Sequence, residues 1–470
     1  MKKTIISVGL IFFAALFVLP GCAKRKFTSW NSYPDPVTTA QMKSFVAEKG
    51  AQANAAIRTN GQAMPPELNR FFKDAGNGDW LAVSNDFESL KKHAPQYGYP
   101  GKLDERLTGT IWQTAIEIWG ALYAMANCDQ KYSSLYDNEI INSIPPGSIY
   151  FGGTDPGRFL ITAMEKSQIK ADPFFLITQN AMANGTYLDY VRSMYGSQLY
   201  IPTSEDSQKC FEDYVADAKE RLQNNQLKPG ENVQVDPQSG RVSVSGQVAV
   251  MEINGLLAKI IFDQNSNYDF YIEQSFPLDW MYPYLEPHNL ILKLNRQPLA
   301  SISDTAVQQD HDYWSNLIQP MIGNWLNDDT SVQGIADFAQ KVFLHHDFSG
   351  FTGDPQFVLN KYSHQMFSKE RANIADLYLW RAEHTKDATE KQRMNTAADY
   401  ACRQAWALCP YSPEAAIRYV NLLMNEKRMS EALMVAETTA DFRSNAGIDR
   451  AQFSQIDDLV SNLKQLQQKQ

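Results

Sequence analysis

The apolar positions of this chain follow helical spacing at both ends and strand spacing in the middle. From Pro65 to Ser143 they recur at steps of three and four. Leu68, Phe71 and Phe72 form one set, Trp80, Val83, Phe87 and Leu90 a second, and Trp112, Ile116, Trp119 and Tyr123 a third. Each set lies on one side of a helix. Gly76-Asn77-Gly78 separates the first two, and Pro66 suits a first helical turn. A further amphipathic helix is expected over 134–143. Between 145 and 298 short apolar runs take over: Ser148–Phe151, Pro173–Thr178, Gln198–Ile201, Asp269–Glu273 and Leu290–Leu294. They alternate with helical stretches over 159–166, 187–195 and 248–262, which predicts a parallel or mixed sheet. Val233 to Val244 reads as a separate hairpin. Beyond Pro298 helical spacing returns, with Trp314, Leu317, Met321 and Trp325 marking one helix and 332–344 the next.

The expected fold class is therefore α+α/β. An N-terminal helical region covers 63–144, a central α/β sheet domain 145–298, and C-terminal helical hairpins 299–470. The stretch 22–62 is polar and rich in Ala, Gln and Asn. It is expected to be a tether with a short helix near 38–58.

The last hairpins, over 372–382, 396–408, 413–424 and 430–438, carry a finer pattern. Ala398, Cys402, Ala405 and Pro410 stand where a tetratricopeptide repeat has its small or apolar residues and its terminating proline, and Ala432 and Ala436 repeat the spacing. Small residues are needed where two helices of a hairpin cross closely. Residues 372–442 thus resemble tetratricopeptide repeats. The usual glycine of the first helix is missing, and 387–395 lengthens one turn. The resemblance implies a short, capped helical module that binds a protein partner.

The first residues add a location. Lys2-Lys3 precede a nearly unbroken apolar run from Thr4 to Val18, and Leu19-Pro20-Gly21-Cys22 follows. A run this short is a signal peptide (1–21) rather than a membrane span. The ending resembles a bacterial lipobox, which implies acylation of Cys22 and a chain held at the membrane. Ala23, where sorting signals place Asp, implies the outer membrane, facing the periplasm. Removing 1–21 takes two lysines and no acids, which leaves 41 basic against 53 acidic side chains, a net charge of −12. Such a surface repels phosphate backbones, so no nucleic-acid partner is expected. Apolar residues at 44% and aromatics at 12% supply a sizeable core. An envelope location permits disulfides. Cys402 and Cys409, seven apart on one helix, would stand ~10 Å apart and cannot bridge; Cys128 and Cys210 remain a possible pair.

Candidate chemistry concentrates at Gly152-Gly153-Thr154-Asp155-Pro156-Gly157-Arg158, at the carboxyl end of one strand and the start of a helix. Free backbone N–H groups and the helix dipole make such turns ligand sites in α/β sheets. Gly152, Gly153, Thr154, Asp155 and Arg158 are the candidate ligand residues, with Asn180 after the next strand bordering the same crevice. A purely structural reading uses the same residues: the glycines turn the chain, Asp155 caps the helix and Pro156 opens it. The segment has neither a P-loop lysine nor dinucleotide-binding glycine spacing. Asp310-His311-Asp312 and His345-His346-Asp347 lack metal-ligand spacing, so no metal or cofactor is expected. No nucleophile motif points to an enzyme.

The segment Pro145 to Arg158, with the α/β text and helical repeats after it, resembles the soluble half of uncharacterised bacterial membrane proteins whose membrane half is similar to protein-mannosyltransferases. This chain has no such spans, so glycosyl transfer is not implied. The whole combination resembles uncharacterised repeat-containing lipoproteins of Gram-negative bacteria. The expected function is a lipid-anchored binding or scaffolding module of the cell envelope. The alternative is an enzyme or sensor that binds a phosphorylated or sugar-like ligand at 152–158.

Overall fold

The computed structural model describes residues 30, 35–97, 99–153, 156–168, 173–228, 230–236, 242–274, 278–444 and 450–468. Residues 1–22, and with them the signal segment and Cys22, lie outside it, as do Thr154 and Asp155.

The part of the expected tether from Pro36 to Thr59 is a 24-residue helix, α1, and it belongs to the core. Asp35 caps it through the N–H groups of Val37 and Thr38, and Met42, Phe45, Val46, Lys49, Ala53 and Ile57 are buried. A heptad-like apolar set hidden among Ala, Gln and Lys masked this role in the sequence. Next come α2 (Pro66–Asn77) and α3 (Trp80–His93), joined at Gly78, whose φ of 72° fits the left-handed end of a helix. The aromatic stripe lies on α4 (Gly109–Asn127), and α5 (Gln130–Ser143) leads into the sheet.

The sheet region holds β1 (Ile149–Gly152), α6 (Ile161–Gln168), β2 (Phe175–Thr178), α7 (Gly185–Tyr195), α8 (Ser204–Gln223), the hairpin β3 (Asn232–Val235) and β4 (Val242–Ser245), α9 (Gln247–Gln264), β5 (Phe270–Ile272), β6 (Leu285–His288) and β7 (Ile291–Leu294). Five strands pair in the order β2-β1-β5-β7-β6. β1 runs parallel to both β2 and β5, while β7 is antiparallel to β5 and β6, so the sheet is mixed. β6 is an edge strand containing Pro287, where the missing N–H costs no ladder bond. β3 and β4 pair only with each other and pack on α8 and α9.

One expected strand is absent. Leu199 and Ile201 are buried, but the backbone between them pairs with a side chain instead of a neighbour strand. The Tyr200 N–H donates to Asn265 Oδ1 at 2.8 Å, and Asn265 Nδ2 donates back to the Tyr200 carbonyl at 2.9 Å. A single amide thus substitutes for two ladder bonds. Conversely, α8 was not expected from the apolar pattern. Only Cys210, Tyr214 and Ala218 are buried on it, and its start is set by a capping box between Thr203 and Asp206.

The C-terminal region is helical: α10 (Asp304–Ile322), α11 (Val332–Phe338) continuing into a π turn over Ala339–Leu344, α12 (Pro355–Leu359), α13 (Lys361–His384), α14 (Ala388–Leu408), α15 (Pro413–Asn425), α16 (Met429–Asp441) and α17 (Arg450–Gln467). α13 packs along α14, and α15 along α16. Ala398, Cys402, Ala405, Ala432 and Ala436 are all buried at these crossings. α13 also reaches α5, β6 and β7, while α14 packs against α10 and α11. Arg371 on α13 is buried and grips Asp310 of α10 with Nη1 at 2.8 and 2.9 Å. One contiguous apolar cluster runs from Trp30 to Leu463, so helices and sheet share a core. The class of the fold is helical with a small mixed α/β sheet. Among the described residues no helix is long and apolar enough to cross a membrane.

Candidate functional site

Three parallel strands end at one edge of the sheet. β1 runs out at Gly152, β2 at Thr178 and β5 at Ile272. β1 and β5 are neighbours, and the chain leaves β1 toward β2 on one side and leaves β5 toward β6 and β7 on the other. Such a switch point opens a crevice beyond the strand ends. After β1 the chain enters a π turn, Pro156–Leu160, before α6 begins at Ile161. Single π turns of this kind are frequent where a helix is widened for function.

The glycines of this turn have close neighbours. A Cβ on Gly152 would lie 2.8 Å from the Gly157 carbonyl oxygen, and one on Gly157 would collide with the Glu273 carboxylate. The N–H of Gly153 donates to Glu273 Oε2 at 2.6 Å. The group held by this glycine turn is therefore the protein's own Glu273 carboxyl, on a fully buried side chain just beyond β5. Tyr150 closes the arrangement by donating its hydroxyl to the Gly157 carbonyl at 2.9 Å.

Arg158 and Asn180 lie on the outer side of the turn. Asn180 donates from Nδ2 to the Gly153 carbonyl at 3.2 Å and accepts from Arg158 Nη1 at 3.1 Å. The Arg158 guanidinium lies 4.0 Å over the Phe159 ring. The structure thus brings Gly152, Gly153, Arg158 and Asn180 into one constellation.

Beside Arg158 is a cavity of about 70 Å³, which sequence reasoning did not anticipate. Its walls come from α3, α4, the segment 96–97, the π turn, the end of β2 and α7. Six of them are aromatic: Phe87, Tyr97, Trp112, Trp119, Phe159 and Tyr187. The stripe expected on α4 is core, as its burial shows, and at the same time one wall of this cavity. Trp112, Phe87, Trp119 and Tyr123 form a continuous stack with ring centroids 5.3, 4.7 and 5.2 Å apart. Tyr97 meets Trp112 edge-on at 5.6 Å. Phe159 reaches the cavity because α4 carries Gly120 opposite it; a Cβ there would fall on the ring.

The polar members are equally placed. Glu117 on α4 receives the buried Lys49 of α1 at 2.5 Å and the Tyr190 hydroxyl of α7 at 2.8 Å, both on Oε2. Together these contacts pin three helices behind the cavity. Tyr187 accepts the Thr178 N–H at 2.5 Å and so ties α7 to the end of β2. Burial raises the Tyr97 and Tyr187 hydroxyls to about 12, a value that already includes smaller lowering by Trp112 at Tyr97, by Thr178 at Tyr187 and, after these, by the Arg158 charge at both. Both phenols therefore stay neutral hydrogen-bonding groups across the physiological range. Trp119, only 7% exposed, has an indole N–H with no acceptor.

The side chains of Asp310 and His311 point to different partners. Asp310 turns inward to Arg371 and the Tyr378 hydroxyl, while His311 stacks outward on Tyr400 at 4.6 Å. Cys128, Cys210, Cys402 and Cys409 are all buried free thiols, so Cys128 and Cys210 are not bridged.

No protein-family model, curated protein or solved structure matches this chain.

Proposed function

We propose that this chain is a binding protein that takes a small molecule in the aromatic cavity beside Arg158. The carrying observation is the combination of six aromatic walls with one oriented guanidinium at the carboxyl ends of parallel strands. Binding pockets pair apolar walls with a few well-placed polar groups in this manner. The surroundings hold the polar groups of the site in fixed positions. Arg158, Glu117 and Asn180 each have a neutral or oppositely charged protein partner. Acylation at Cys22 would hold this binding protein at the cell envelope, as its first residues imply.

The test is a thermal-shift screen of small ring-bearing compounds, followed by the same hits on Arg158→Gln. The proposal expects hits whose stabilisation disappears in the variant. Hits that stabilise both proteins equally would place binding elsewhere.

A second reading, docking of a protein partner on the repeat-like helices, has its own observation. An open groove of about 350 Å³ lies between α11 and α16, with Asp337, Glu437 and Asp441 among its walls. An acidic groove suits a basic segment of a partner. Pull-down of the same partner by wild type and by an Asp337→Lys, Glu437→Lys double variant would count against this reading.

A further inference from the structure

We infer that the ligand of the aromatic cavity is a neutral, hydroxyl-bearing ring, the chemistry of a single sugar unit, held at its edge by the Gln113 amide and the Thr178 hydroxyl. This rests on the reading of the cavity as the binding site and adds the chemical class of what enters it.

Most polar groups of the lining are committed to the protein. Gln96, in the amide orientation that satisfies both its ends, donates to the Leu107 carbonyl at 3.2 Å and accepts the Trp112 indole N–H at 2.7 Å. Glu117 takes Lys49 and the Tyr190 hydroxyl, and the Tyr187 hydroxyl takes the Thr178 N–H. Asn184 Oδ1 caps α7 by accepting the Thr186 N–H at 3.0 Å.

Gln113 and Thr178 differ. Both line the cavity, and they are only 7% and 8% exposed. Among the described residues, neither the Gln113 amide nor the Thr178 hydroxyl has a hydrogen-bond partner. Neither is sealed in protein as the Trp119 N–H is. The little surface they keep therefore lies on the cavity they line. A nearly buried polar group without a partner is costly, so a ligand that supplies one gains affinity.

The elements place both groups on one side. Gln113 stands one turn before Glu117 on α4, on the helix face that meets Tyr190 of α7. Thr178 ends β2 and is tied to α7 through Tyr187. Trp112 and Trp119 occupy the neighbouring face of α4, against Phe87 of α3. The cavity thus has a polar side and an aromatic side.

An amide and a hydroxyl each donate and accept. They match a group that does both, which a hydroxyl is. A carboxylate only accepts and an ammonium only donates. Two such groups on separate elements call for more than one hydroxyl. The electron-rich faces of the aromatic walls suit the slightly positive C–H bonds of a sugar ring. A cavity of about 70 Å³ takes one edge of a ring, since a site for all of benzene needs roughly 150 Å³. The hydroxyl-bearing edge enters, and the rest rests on Tyr97 and Ile116, which are half-buried lining residues.

The experiment is a calorimetric titration of the full mature chain with the methyl glycosides of glucose, galactose, mannose and N-acetylglucosamine. Cyclohexanol and benzoate serve as rings without the hydroxyl set. The expected result is that at least one glycoside binds more tightly than both. Gln113→Leu and Thr178→Val nearly keep shape and should each weaken it by about three- to tenfold, the ratio one neutral hydrogen bond supplies. Together they should reverse the preference in favour of cyclohexanol. Thr178→Ser keeps the hydroxyl and should keep the affinity. Because neither group bonds within the fold, urea midpoints of Gln113→Leu and Thr178→Val should equal or exceed wild type.

Lower midpoints in these two variants would show that the groups serve the fold, and would overturn their role here. Glycosides that bind no better than cyclohexanol or benzoate, with those two still lost in Arg158→Gln, would overturn the sugar class and leave the cavity as the site. Glycoside binding indifferent to Gln113, Thr178 and Arg158, or no binding by any probe, would overturn the site assignment as well.

Discussion

Gly153 donates its backbone N–H to the buried carboxylate of Glu273 at 2.6 Å, across the end of the sheet from β1 to β5. The contact fills the anion position of the glycine turn from within the protein. It also explains why a second glycine, Gly157, stands where a side chain would strike Glu273. Gly157→Ala is therefore expected to destabilise the fold by about 1–3 kcal/mol, the usual cost of forcing an extra methyl into a packed site. Urea denaturation measures it. An unchanged midpoint would mean that the turn and Glu273 are not locked together.

Glu273 adjoins a second buried acid. Burial first, then the charge and hydrogen bond of Glu273, hold the Glu370 carboxyl well above the ordinary range, and the Tyr136 hydroxyl donates to it at 2.9 Å. On the same helix as Tyr136, burial pushes Asp137 up to about 8. Both acids thus have folded pKa values above their unfolded ones. Their contribution to stability is fully present below about pH 4 and is lost as pH rises, for Asp137 through about 8. Each unit of pH in that window removes up to about 1.4 kcal/mol per group. Stability measured by urea melts from pH 5 to 9 should fall with this slope in wild type. Asp137→Asn and Glu370→Gln should each flatten it. A slope unchanged in both variants would show that neither acid is protonated in the fold.

Gly120 is a handle on the cavity from the opposite side. Gly120→Ala places a methyl on the Phe159 ring, which lies under the Arg158 guanidinium. The expected outcome is a loss of about 1–3 kcal/mol in stability together with weakened ligand binding. Binding at wild-type affinity in a destabilised Gly120→Ala protein would separate Phe159 from the site.

The lipid anchor is tested in cells. Cys22→Ser is expected to move the chain from the membrane fraction to the soluble fraction, since acyl chains on this residue are the proposed anchor. Retention in membranes after the change would contradict acylation at this residue.

Much of this architecture was legible in the apolar spacing. The helices around Phe87, Trp119 and Trp314, and the strands around Phe151, Ile177 and Tyr271, stand where the pattern put them, within a few residues. What the pattern does not carry is pairing chosen by side chains. Asn265 replaced a strand partner for Tyr200, and β6 formed around Pro287 because its edge position needs no N–H. α1 looked like a tether because its buried face includes a lysine, Lys49, whose partner Glu117 lies far away in sequence. The site was half legible. Arg158 and Asn180 were visible as polar residues after two strands, whereas the cavity needed the stacking of α4 against the π turn, a contact between segments about forty residues apart. The aromatic stripe was the available signal, and core packing explained it equally well.

The most direct test of the site assignment follows the indole N–H resonances of the nine tryptophans during titration with a ring-bearing hit of the thermal-shift screen. The predicted result is a saturable shift at Trp119 and Trp112, with Trp314 and Trp406 unmoved, and its loss in Arg158→Gln. Saturable shifts at Trp314 or Trp406 with Trp119 silent, or shifts that survive Arg158→Gln, would contradict it.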